Sequence, residues 1–598
     1  MTAYDSVVVG FYFAFMLCIS WVFRRFVENV SDYFRGGGKA LWWMVGGSAF
    51  MMSFSAWTLT GAASVAYDDG WPVITIYVAN ALGFLFNALH FAPKFRQMRV
   101  ITGIEAVRLR FNRRNEQVFT WLQLPFGILL ATLHLNAVAV FVSAVFSFNL
   151  SLTIIGVGAI VLCIALLGGS WAVIAGDFIQ MLILMPVCIC ITVLALLHVG
   201  GVAGMLAQLP PGHLDLARIA DNDFLGLWCV AMVIRQILTT NSLLEANRYL
   251  SVKDSRHARW AGLLGAGLYL LGIVVWFVPP FVARILFPDL QALFPMLEHP
   301  AEAVFVAITR AVAPIGMLGL LVSGIFAATI SAMDSGLNKS AGILIKNFYQ
   351  PVLRPDASDR HLLLTGRITT VLLGGIIVLT ALRMSELRGL NLFIQMQRVS
   401  ILIGIPVTLP LVLALIVKRT PAWAGWSTAL VGFLGSIFID RYFSPDWAAS
   451  FFGLSPLSHT AQENWRQSVQ LLGNVALGSG WFIFTTLFWE KSPHAYRENV
   501  ERFITRMATP VDFAAEEGSH AANDDRQARV VGMFTVIYGG FVLLLALIPN
   551  PPGGRLAFVG CGGLVLLVGL VLLFTARGRT AAPAPPSARS QAAATRIP

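Results

Sequence analysis

Apolar residues run through this chain in long, nearly uninterrupted stretches, with polar residues confined to short segments between them. Runs of 18 or more such residues recur from the first, near residues 4–23, to the last part of the chain. A run of that length crosses a hydrocarbon core of about 30 Å as a helix, which satisfies its own backbone hydrogen bonds there. The pattern predicts an all-α integral membrane protein with about 15 transmembrane helices.

Composition supports the same class. The chain has 598 residues, of which 57% are hydrophobic and 12% charged, with a mean hydropathy of +0.73. Soluble proteins carry about 25% charged residues, so a soluble enzyme is excluded. An enzyme within the membrane would need a Ser/His pair or a set of His and Cys metal ligands, and the spans contain neither pattern. Direct coupling to ATP would need a GxxxxGK[ST] motif, which does not occur. We therefore expect a protein that is not an enzyme.

Basic residues cluster in three of the polar segments, at 24–39, 94–114 and 248–259. Lys and Arg concentrate in cytoplasmic loops, so these segments are predicted to be cytoplasmic. Basic segments alternate with acidic or neutral ones, so we expect the amino terminus outside and the carboxyl terminus in the cytoplasm. The predicted location is the inner membrane of the cell. This topology explains the net charge of +11, and a nucleic-acid partner is not expected.

Five ionisable residues fall inside predicted spans: Asp177, Arg235, Asp334, Lys339 and Arg398. Ionisable groups at membrane depth are costly, so each is a candidate for coupling or gating, with a structural ion pair as the alternative. For Lys339, the alternative is a position at the helix end with its ammonium group reaching the membrane surface. Asp334 lies in the stretch AATISAMDSGLNKS, where residues spaced by three and four form one polar stripe on a helix. The stripe consists of Ala328, Ser331, Asp334, Ser335 and Asn338.

A second unusual stretch, FMMSFSAWTLTGAAS at residues 50–64, is rich in small and hydroxyl residues inside an apolar run. Such residues allow two helices to pack closely. They also suit an interrupted helix whose free carbonyls and helix ends face a ligand near the membrane midplane, as in secondary transporters. The sequence leaves both interpretations open.

Six stretches, in order along the chain, resemble signature motifs of the sodium:solute symporter family. They are SDYFRGGGKALWW, APKFRQMRVITGIEAVRLRF, GGSWAVIAGDFIQ, ANRYLSVKDSRHAR, PIGMLGLLVSGIFAATISAMDSGLN and IPVTLPLVLALIVKRTPAWAGWSTALVGF. The third carries Asp177 and Gln180 in an Asp-x-x-Gln pattern, whereas the fourth has Asn247 where the family has glutamine. The resemblance covers roughly residues 30–440.

This resemblance implies a leucine-transporter-like core of two inverted five-helix repeats with extra amino- and carboxyl-terminal helices. It also implies symport of a small organic solute with a sodium ion by alternating access. The expected divisions are an amino-terminal helix and loop (1–39), the two repeats (40–200 and 201–418), additional helices (419–487), a cytoplasmic linker (488–529), two terminal helices (530–576) and a disordered tail (577–598).

The family's sodium site uses backbone carbonyls of the first core helix and a carbonyl with two hydroxyls of the eighth. By position, the carbonyls fall on Met51, Phe54 and Ala328, and the first hydroxyl on Ser331. The second hydroxyl position is Ala332. Because a hard cation needs about five or six oxygens, water or a nearby carboxylate must complete the shell, and proton coupling remains an alternative.

The family's solute contacts come from the first, second, sixth and tenth core helices. Matching positions are Ser53, Trp57, Thr58, Thr60, Asn87, Asn241 or Ser242, and Gln395 or Gln397. Arg235 and Arg398 are each suited to bind a carboxylate bidentately, which favours an anionic or zwitterionic solute. Arg398 has two other possible roles, which are pairing with Asp334 and capping a broken helix. A transporter-like solute sensor is the alternative function.

Overall fold

The computed structural model describes residues 2–23, 38–146, 148–220, 223–295, 297–386, 392–454, 456–511 and 521–576, except for the side chains of residues 164, 167–172, 330, 334, 335, 338 and 521–523. The described part of the chain contains 23 α-helices. The first nine are α1 (Ala3–Phe23), α2 (Trp42–Ser53), α3 (Ala63–Asp68), α4 (Ile74–Phe86), α5 (Ala92–Gln97), α6 (Gly103–Arg110), α7 (Arg113–Phe146), α8 (Leu150–His198) and α9 (Gly201–Gln208).

The remaining fourteen helices follow the same order along the chain. They are α10 (Leu225–Thr240), α11 (Asn247–Leu250), α12 (Ser255–Leu286), α13 (Val304–Val312), α14 (Met317–Ile343), α15 (Asp359–Ser385), α16 (Leu392–Val399), α17 (Ile405–Ile416), α18 (Ala424–Tyr442), α19 (Pro445–Phe452), α20 (His459–Phe484), α21 (His494–Ala508), α22 (Ala521–Leu544) and α23 (Pro552–Thr575). The helix expected from residue 530 thus begins at Ala521, and the expected tail lies outside the described residues.

Ten helical stretches in the described residues are long and apolar enough to cross a membrane. Three shorter apolar helices cover Leu150–Cys163, Leu225–Thr240 and Met317–Met333. Together with the stretch from α2 to α3 and the 19-residue helix α18, these account for the spans that the sequence predicts. The all-α membrane architecture is confirmed.

The first core helix is interrupted within the stretch at residues 50–64. Helix α2 ends at Ser53, and Phe54 adopts an extended conformation with φ −104° and ψ 138°. A π-helical turn, Thr58–Ala62, then leads into α3. The interrupted-helix interpretation is therefore correct. Because the last carbonyls of a helix have no partner within it, the end of α2 presents unused acceptors and the negative end of its dipole.

A second interruption separates α10 from α11. The side-chain amide of Asn241 donates to the Ile237 carbonyl at 2.8 Å, and the Ser242 hydroxyl accepts from the Leu244 amide at 3.2 Å. These two side chains satisfy backbone groups at the point where the helix stops. The described residues therefore contain a broken helix in each of the two expected repeats.

Helix α2 lies at the centre of the bundle, packed against α8, α12 and α14. The backbones of α2 and α12 come very close at Gly46, where an added Cβ would lie 2.9 Å from the Ala261 carbonyl oxygen. Glycine is required at such a contact because any side chain would separate the two helices. This packing holds the broken end of α2 against α14, the helix that carries Ser331.

Candidate functional site

A buried group of polar side chains connects α2, α8 and α11 on one side of the break at Phe54. The Ser48 hydroxyl donates a hydrogen bond to Asp177 Oδ2. Arg248 Nη2 lies 3.4 Å from the same oxygen, and both charged residues are almost fully buried. We call Ser48, Asp177 and Arg248 the inner cluster. The guanidinium supplies the counter-charge that a carboxylate needs at membrane depth.

Ser331 lies close to the Asp177 carboxylate from the α14 side. Apart from that carboxylate, its buried hydroxyl has no hydrogen-bond partner among the described residues, and the buried Thr329 hydroxyl has none. A buried hydroxyl beside a carboxylate with no other partner is suited to receive a cation. Ala332 is also buried and offers only a methyl group. The side chain of Asp334 lies outside the described residues.

Two of the predicted sodium ligands lie one helical turn from the hydroxyl residues Ser48 and Ser331 on α2 and α14. Ser48 and Met51 are three residues apart on α2, and Ala328 and Ser331 are three apart on α14, so each pair shares a helix face. The Met51 carbonyl accepts a weak bond from the Phe54 amide at 3.2 Å, where α2 ends. The arrangement offers backbone carbonyls and a buried hydroxyl next to a carboxylate, which are the ligands that hard cations prefer.

Aromatic and backbone groups meet on the other side of the break. The ring of Trp57 stacks on Phe393 with centroids 5.6 Å apart, and its Nε1 donates to the Leu392 carbonyl at 3.3 Å. The Leu392 amide in turn donates to Oε1 of the buried Glu302 at 2.7 Å. We call Trp57, Phe393, Leu392 and Glu302 the outer contact; this name, like that of the inner cluster, follows the predicted topology. The outer contact joins the second half of the first core helix to α16 and to the segment before α13.

The other predicted solute residues are distributed around the two breaks. Ser53 is exposed, which places it at an open space beside the end of α2. The Thr58 hydroxyl accepts from the Tyr77 hydroxyl at 2.9 Å, whereas Thr60 bonds back to the Ala56 carbonyl within its own helix. Thr58 therefore sits in a side-chain network, while Thr60 is engaged in local bonding.

Asn87 and Asn241 face each other's helices. Asn87 donates to the Thr240 carbonyl at 3.4 Å, and Asn241 donates to the Gly83 carbonyl at 3.3 Å. Both side-chain oxygens are buried without a hydrogen-bond partner among the described residues. The two amides hold α4 against the second break and leave two acceptors unused.

Arg235 is the most polar feature of this region. Its Nη1 donates to Gln397 Oε1 at 2.8 Å and its Nη2 donates to the Ser400 hydroxyl at 2.7 Å. Only 7% of the residue is exposed, and none of the described carboxylates lies within 4 Å of the guanidinium. Gln397 is one helical turn after Phe393, so it shares a face of α16 with the stack on Trp57. Gln395, in contrast, is only partly buried on a different face.

Arg398 has a different environment from Arg235. Its Nη2 lies 2.6 Å from Glu463 Oε1 on α20, and Arg466 approaches the same oxygen at 3.3 Å. Among the described side chains, the ion-pair partner of Arg398 is Glu463, whereas the side chain of Asp334, the partner considered from the sequence, lies outside the described residues. The guanidinium of Arg398 serves the packing of α16 on α20.

The sequence pattern did not single out Ser48, Arg248, Glu302 or Glu463. Ser48 precedes the hydroxyl-rich stretch, and Arg248 falls in a basic segment where positive charge needs no special explanation. The available signal was Asp177 itself, because a carboxylate in a span requires a nearby cation. Which cation fills that role depends on tertiary contacts.

Comparisons with known proteins point to one family. Residues 33–432 match the Sodium:solute symporter family. Sodium/myo-inositol cotransporter 2 of Sus scrofa is 26% identical over 474 residues, which are 72% of this chain and 68% of that one. The Sodium/glucose cotransporter of Vibrio parahaemolyticus is 24% identical over 396 residues, covering 61% of this chain and 72% of that protein.

A solved structure supports the fold. The substrate-bound, outward-open structure of a Na+-coupled sialic acid symporter superposes with a TM-score of 0.63 at 18% identity, over 81% of this chain and 98% of that one. The leucine-transporter-like architecture is confirmed by this likeness and by the two broken helices. Because the family match covers more than half of the chain, this multi-pass membrane protein belongs to the sodium:solute symporter family and is a sodium-coupled solute symporter.

Proposed function

We propose that the co-transported solute is a small polyhydroxylated molecule that carries an acidic group. The observation that carries this proposal is Arg235, a buried guanidinium with two neutral partners, Gln397 and Ser400, and no described carboxylate beside it. A buried charge is costly unless it is paired. The planar fork of a guanidinium matches a carboxylate, so a solute acid group would supply the missing charge.

The polyhydroxylated part of the proposal rests on neutral groups near the two breaks. Ser53 and Trp57 lie before and within the second half of the first core helix, and the amide oxygens of Asn87 and Asn241 are unpaired among the described residues. Such groups bind hydroxyls by hydrogen bonds, and an aromatic ring packs against the face of a sugar. The named relatives carry myo-inositol and glucose, which agrees with this chemistry.

For sodium, we infer a site between the end of α2 and the face of α14. The Met51, Phe54 and Ala328 carbonyls and the Ser331 hydroxyl would supply four oxygens. Ala332 leaves one position without an oxygen, so water, Asp177 or Asp334 must complete the shell. The position of the buried Ser331 hydroxyl beside Asp177, with no other described hydrogen-bond partner, supports this assignment.

The inner cluster gives sodium a way to change the protein's conformation. A cation bound beside Asp177 competes with Arg248 for the same carboxylate, so bound sodium weakens the link between α8 and α11. When the ion leaves, the guanidinium regains its partner. A ligand shifts a conformational equilibrium by as much as its affinities for the two states differ, and this competition provides such a difference.

The direction of transport follows from the proposed topology. The basic segments lie on the cytoplasmic face, the amino terminus is outside, and the carboxyl terminus is inside. The two inverted repeats cover residues 40–200 and 201–418, each with one broken helix. Sodium moving down its gradient would then bring the solute into the cell.

Reconstituted protein tests the solute class. Proteoliposomes with an inward sodium gradient are supplied with labelled glucuronate, glucose or myo-inositol. We expect saturable, sodium-dependent uptake of the sugar acid with a KM at least about tenfold below that of the neutral solutes, because one charge-assisted pair contributes about 1.5–3 kcal/mol. Arg235→Gln should remove this preference, whereas Arg398→Gln, whose guanidinium pairs with Glu463, should retain it.

Two results would contradict the proposal. Equal KM values for acidic and neutral solutes in the wild type would assign Arg235 a structural role. A preference for the acid that survives Arg235→Gln would place the carboxylate elsewhere. Uptake driven by a pH gradient and indifferent to sodium would instead contradict the proposed ion site.

A further inference from the structure

A cavity with charged walls, separate from the inner cluster and the outer contact, lies between α6, the start of α7 and helix α21. Its volume is about 580 Å³. Four arginines line it, and none of the residues described in its lining is a carboxylate. The lining arginines are Arg108, Arg113, Arg502 and Arg506.

The positive charge of this cavity is only partly neutralised by the protein. Arg108 pairs with Glu105 at 3.5 Å and approaches Glu116 at 3.8 Å. The other three arginines have no ion pair with any described carboxylate. Arg113 donates to the Pro351 carbonyl at 2.6 Å and Arg502 donates to the Asn499 side chain at 2.7 Å, and both acceptors are neutral. Among the described residues, three guanidiniums therefore share one space without an ion-pair partner.

The helix that supplies half of the cavity is firmly attached. Val500, Phe503 and Met507 bury one face of α21. The Tyr496 hydroxyl donates to the Thr420 carbonyl at 2.9 Å and accepts from Arg110 Nη1 at 3.3 Å. Because these contacts fix α21, the positions of Arg502 and Arg506 relative to α6 are defined by packing, and the exposed arginines themselves contribute little to the folding of the helix.

The cavity lies at the membrane surface. Helix α7, which begins at Arg113, is one candidate span, and the span His459–Lys491 ends just before α21. Its walls also include the apolar side chains of Leu109, Phe111 and Phe503. A space that combines guanidiniums with apolar walls at this depth matches a phosphate group attached to an apolar body.

From this combination we propose that the cavity binds a phosphate oxyanion, supplied by the headgroup of an anionic phospholipid. Guanidiniums bind phosphate oxygens with two parallel hydrogen bonds, and juxtamembrane arginines each gain about 1 kcal/mol near an anionic surface. A bound phosphate joins Arg108 and Arg113 on the core side to Arg502 and Arg506 on α21. This assigns a role to the segment after α20, which the transport cycle does not otherwise use.

Lipid titration of the purified full chain tests the site. The protein in neutral detergent is titrated with phosphatidylglycerol, with phosphatidylcholine as the uncharged comparison, and the thermal unfolding midpoint reports binding. We expect a saturable increase with phosphatidylglycerol only. Arg506→Gln should raise the half-saturating lipid concentration about threefold and R502Q/R506Q about tenfold or more.

The matched control lies on the same helix. Arg497 pairs with Glu490 and does not line the cavity, so Arg497→Gln removes one charge from α21 and should leave lipid binding unchanged. R502K/R506K keeps both charges but loses the bidentate guanidinium geometry, so its affinity should lie between those of the wild type and R502Q/R506Q, which separates a loss of binding from a loss of fold. Equal losses in Arg497→Gln and Arg506→Gln, or an equal response to phosphatidylcholine, would overturn the proposal.

A soluble-phosphate arm identifies the source of the oxyanion. Inorganic phosphate at millimolar concentrations should produce no saturable shift, because it cannot use the apolar walls. A saturable shift that R502Q/R506Q abolishes would support the phosphate site and assign it a soluble ligand instead of a lipid. Binding of phosphatidylglycerol with wild-type affinity to R502Q/R506Q would remove the site altogether.

Discussion

The outer contact and the inner cluster lie on either side of the same break in the first core helix, and they use different chemistry. The outer contact consists of an aromatic stack and hydrogen bonds to the backbone of Leu392. The inner cluster consists of a buried ion pair between Asp177 and Arg248, with Ser48 attached. Apolar burial stabilises the outer contact, and the attraction of opposite charges stabilises the inner cluster.

This difference determines which contact an ion can control. Stacking of Trp57 on Phe393 contributes about 0.5–1.5 kcal/mol and does not depend on charge. A buried ion pair responds strongly to another cation, since electrostatic interactions are strong where the dielectric constant is low. Sodium bound beside Asp177 is therefore expected to act first on the inner cluster, and the outer contact responds to the solute and to the movement of α16.

The largest effect is expected from breaking the inner cluster on one side only. Asp177→Asn removes the carboxylate that pairs with Arg248 in the inner cluster, and breaking one side of a buried ion pair costs about 3–5 kcal/mol. We expect sodium-dependent uptake to fall by roughly a hundredfold or more and the unfolding midpoint to drop. Asp5→Asn is the matched control, since Asp5 is a buried carboxylate on α1 that accepts from the Gly319 amide far from the cluster.

The double variant D177N/R248Q sharpens this prediction. Removing both charges should recover most of the thermal stability while uptake stays low, because the fold loses only a pair but the transport cycle loses its switch. Recovery of sodium-dependent uptake in the double variant would show that the ion pair has a structural role only.

A smaller effect is expected at the proposed sodium site. Ser331→Ala removes a buried hydroxyl that lies beside Asp177 and is a proposed ligand, so it should raise the half-saturating sodium concentration roughly thirtyfold. Ala332→Ser adds the missing oxygen and should lower that concentration. Thr329→Val is the control, because its buried hydroxyl lies on the same helix but is not a proposed ligand. Unchanged sodium dependence in Ser331→Ala would place the ion elsewhere.

The sequence predicted these two regions unequally, for physical reasons. The spans follow from local patterns, which also mark residues 50–64 and Asp177 as candidates, because membrane depth makes every polar group informative. The partners Arg248 and Glu463 did not follow, since an ion pair between distant segments leaves no local signal. Arg398 illustrates this limit: its charge was evident, but only the packing of α16 on α20 identifies Glu463 as its partner.

The outer contact should respond more weakly than the inner cluster. Trp57→Leu removes both the stack on Phe393 and the hydrogen bond to Leu392, which together contribute about 1–3 kcal/mol. Next to the outer contact, Ser64 lines a cavity of about 300 Å³, which we call the outer cavity. Ser64→Cys, in a variant without other cysteines, reports the opening of the outer contact through its rate of labelling by a membrane-impermeant maleimide. We expect that rate to rise roughly tenfold.

Trp43→Leu is the matched control for this experiment. Trp43 packs on Phe178 with ring centroids 4.5 Å apart, so its loss removes a similar aromatic pair from the other side of the break. Labelling at the outer cavity should stay near the wild-type rate. An equal increase in both variants would mean that general loosening, and not the outer contact, controls access.

The smallest effect expected is a pH dependence of the outer contact. Burial raises the pKa of Glu302 to about 7, and the nearby Glu298 carboxylate adds to the increase. In an open conformation, water would return the pKa of this carboxyl to about 4.3. The closed form therefore binds the proton more tightly, and its stabilisation is complete at low pH and is lost as the pH rises through about 7.

The labelling rate at the outer cavity should therefore increase by about fourfold between pH 6.5 and 8, after correction for the reactivity of the thiol. Glu302→Gln keeps an acceptor for the Leu392 amide but cannot ionise, so its profile should be flat. Glu298→Gln, at an exposed position, should leave most of the slope in place. A wild-type slope that persists in Glu302→Gln would assign the pH dependence to another group. A flat profile in the wild type would mean that Glu302 stays in one protonation state, which would leave the outer contact, unlike the inner cluster, free of any control by charge.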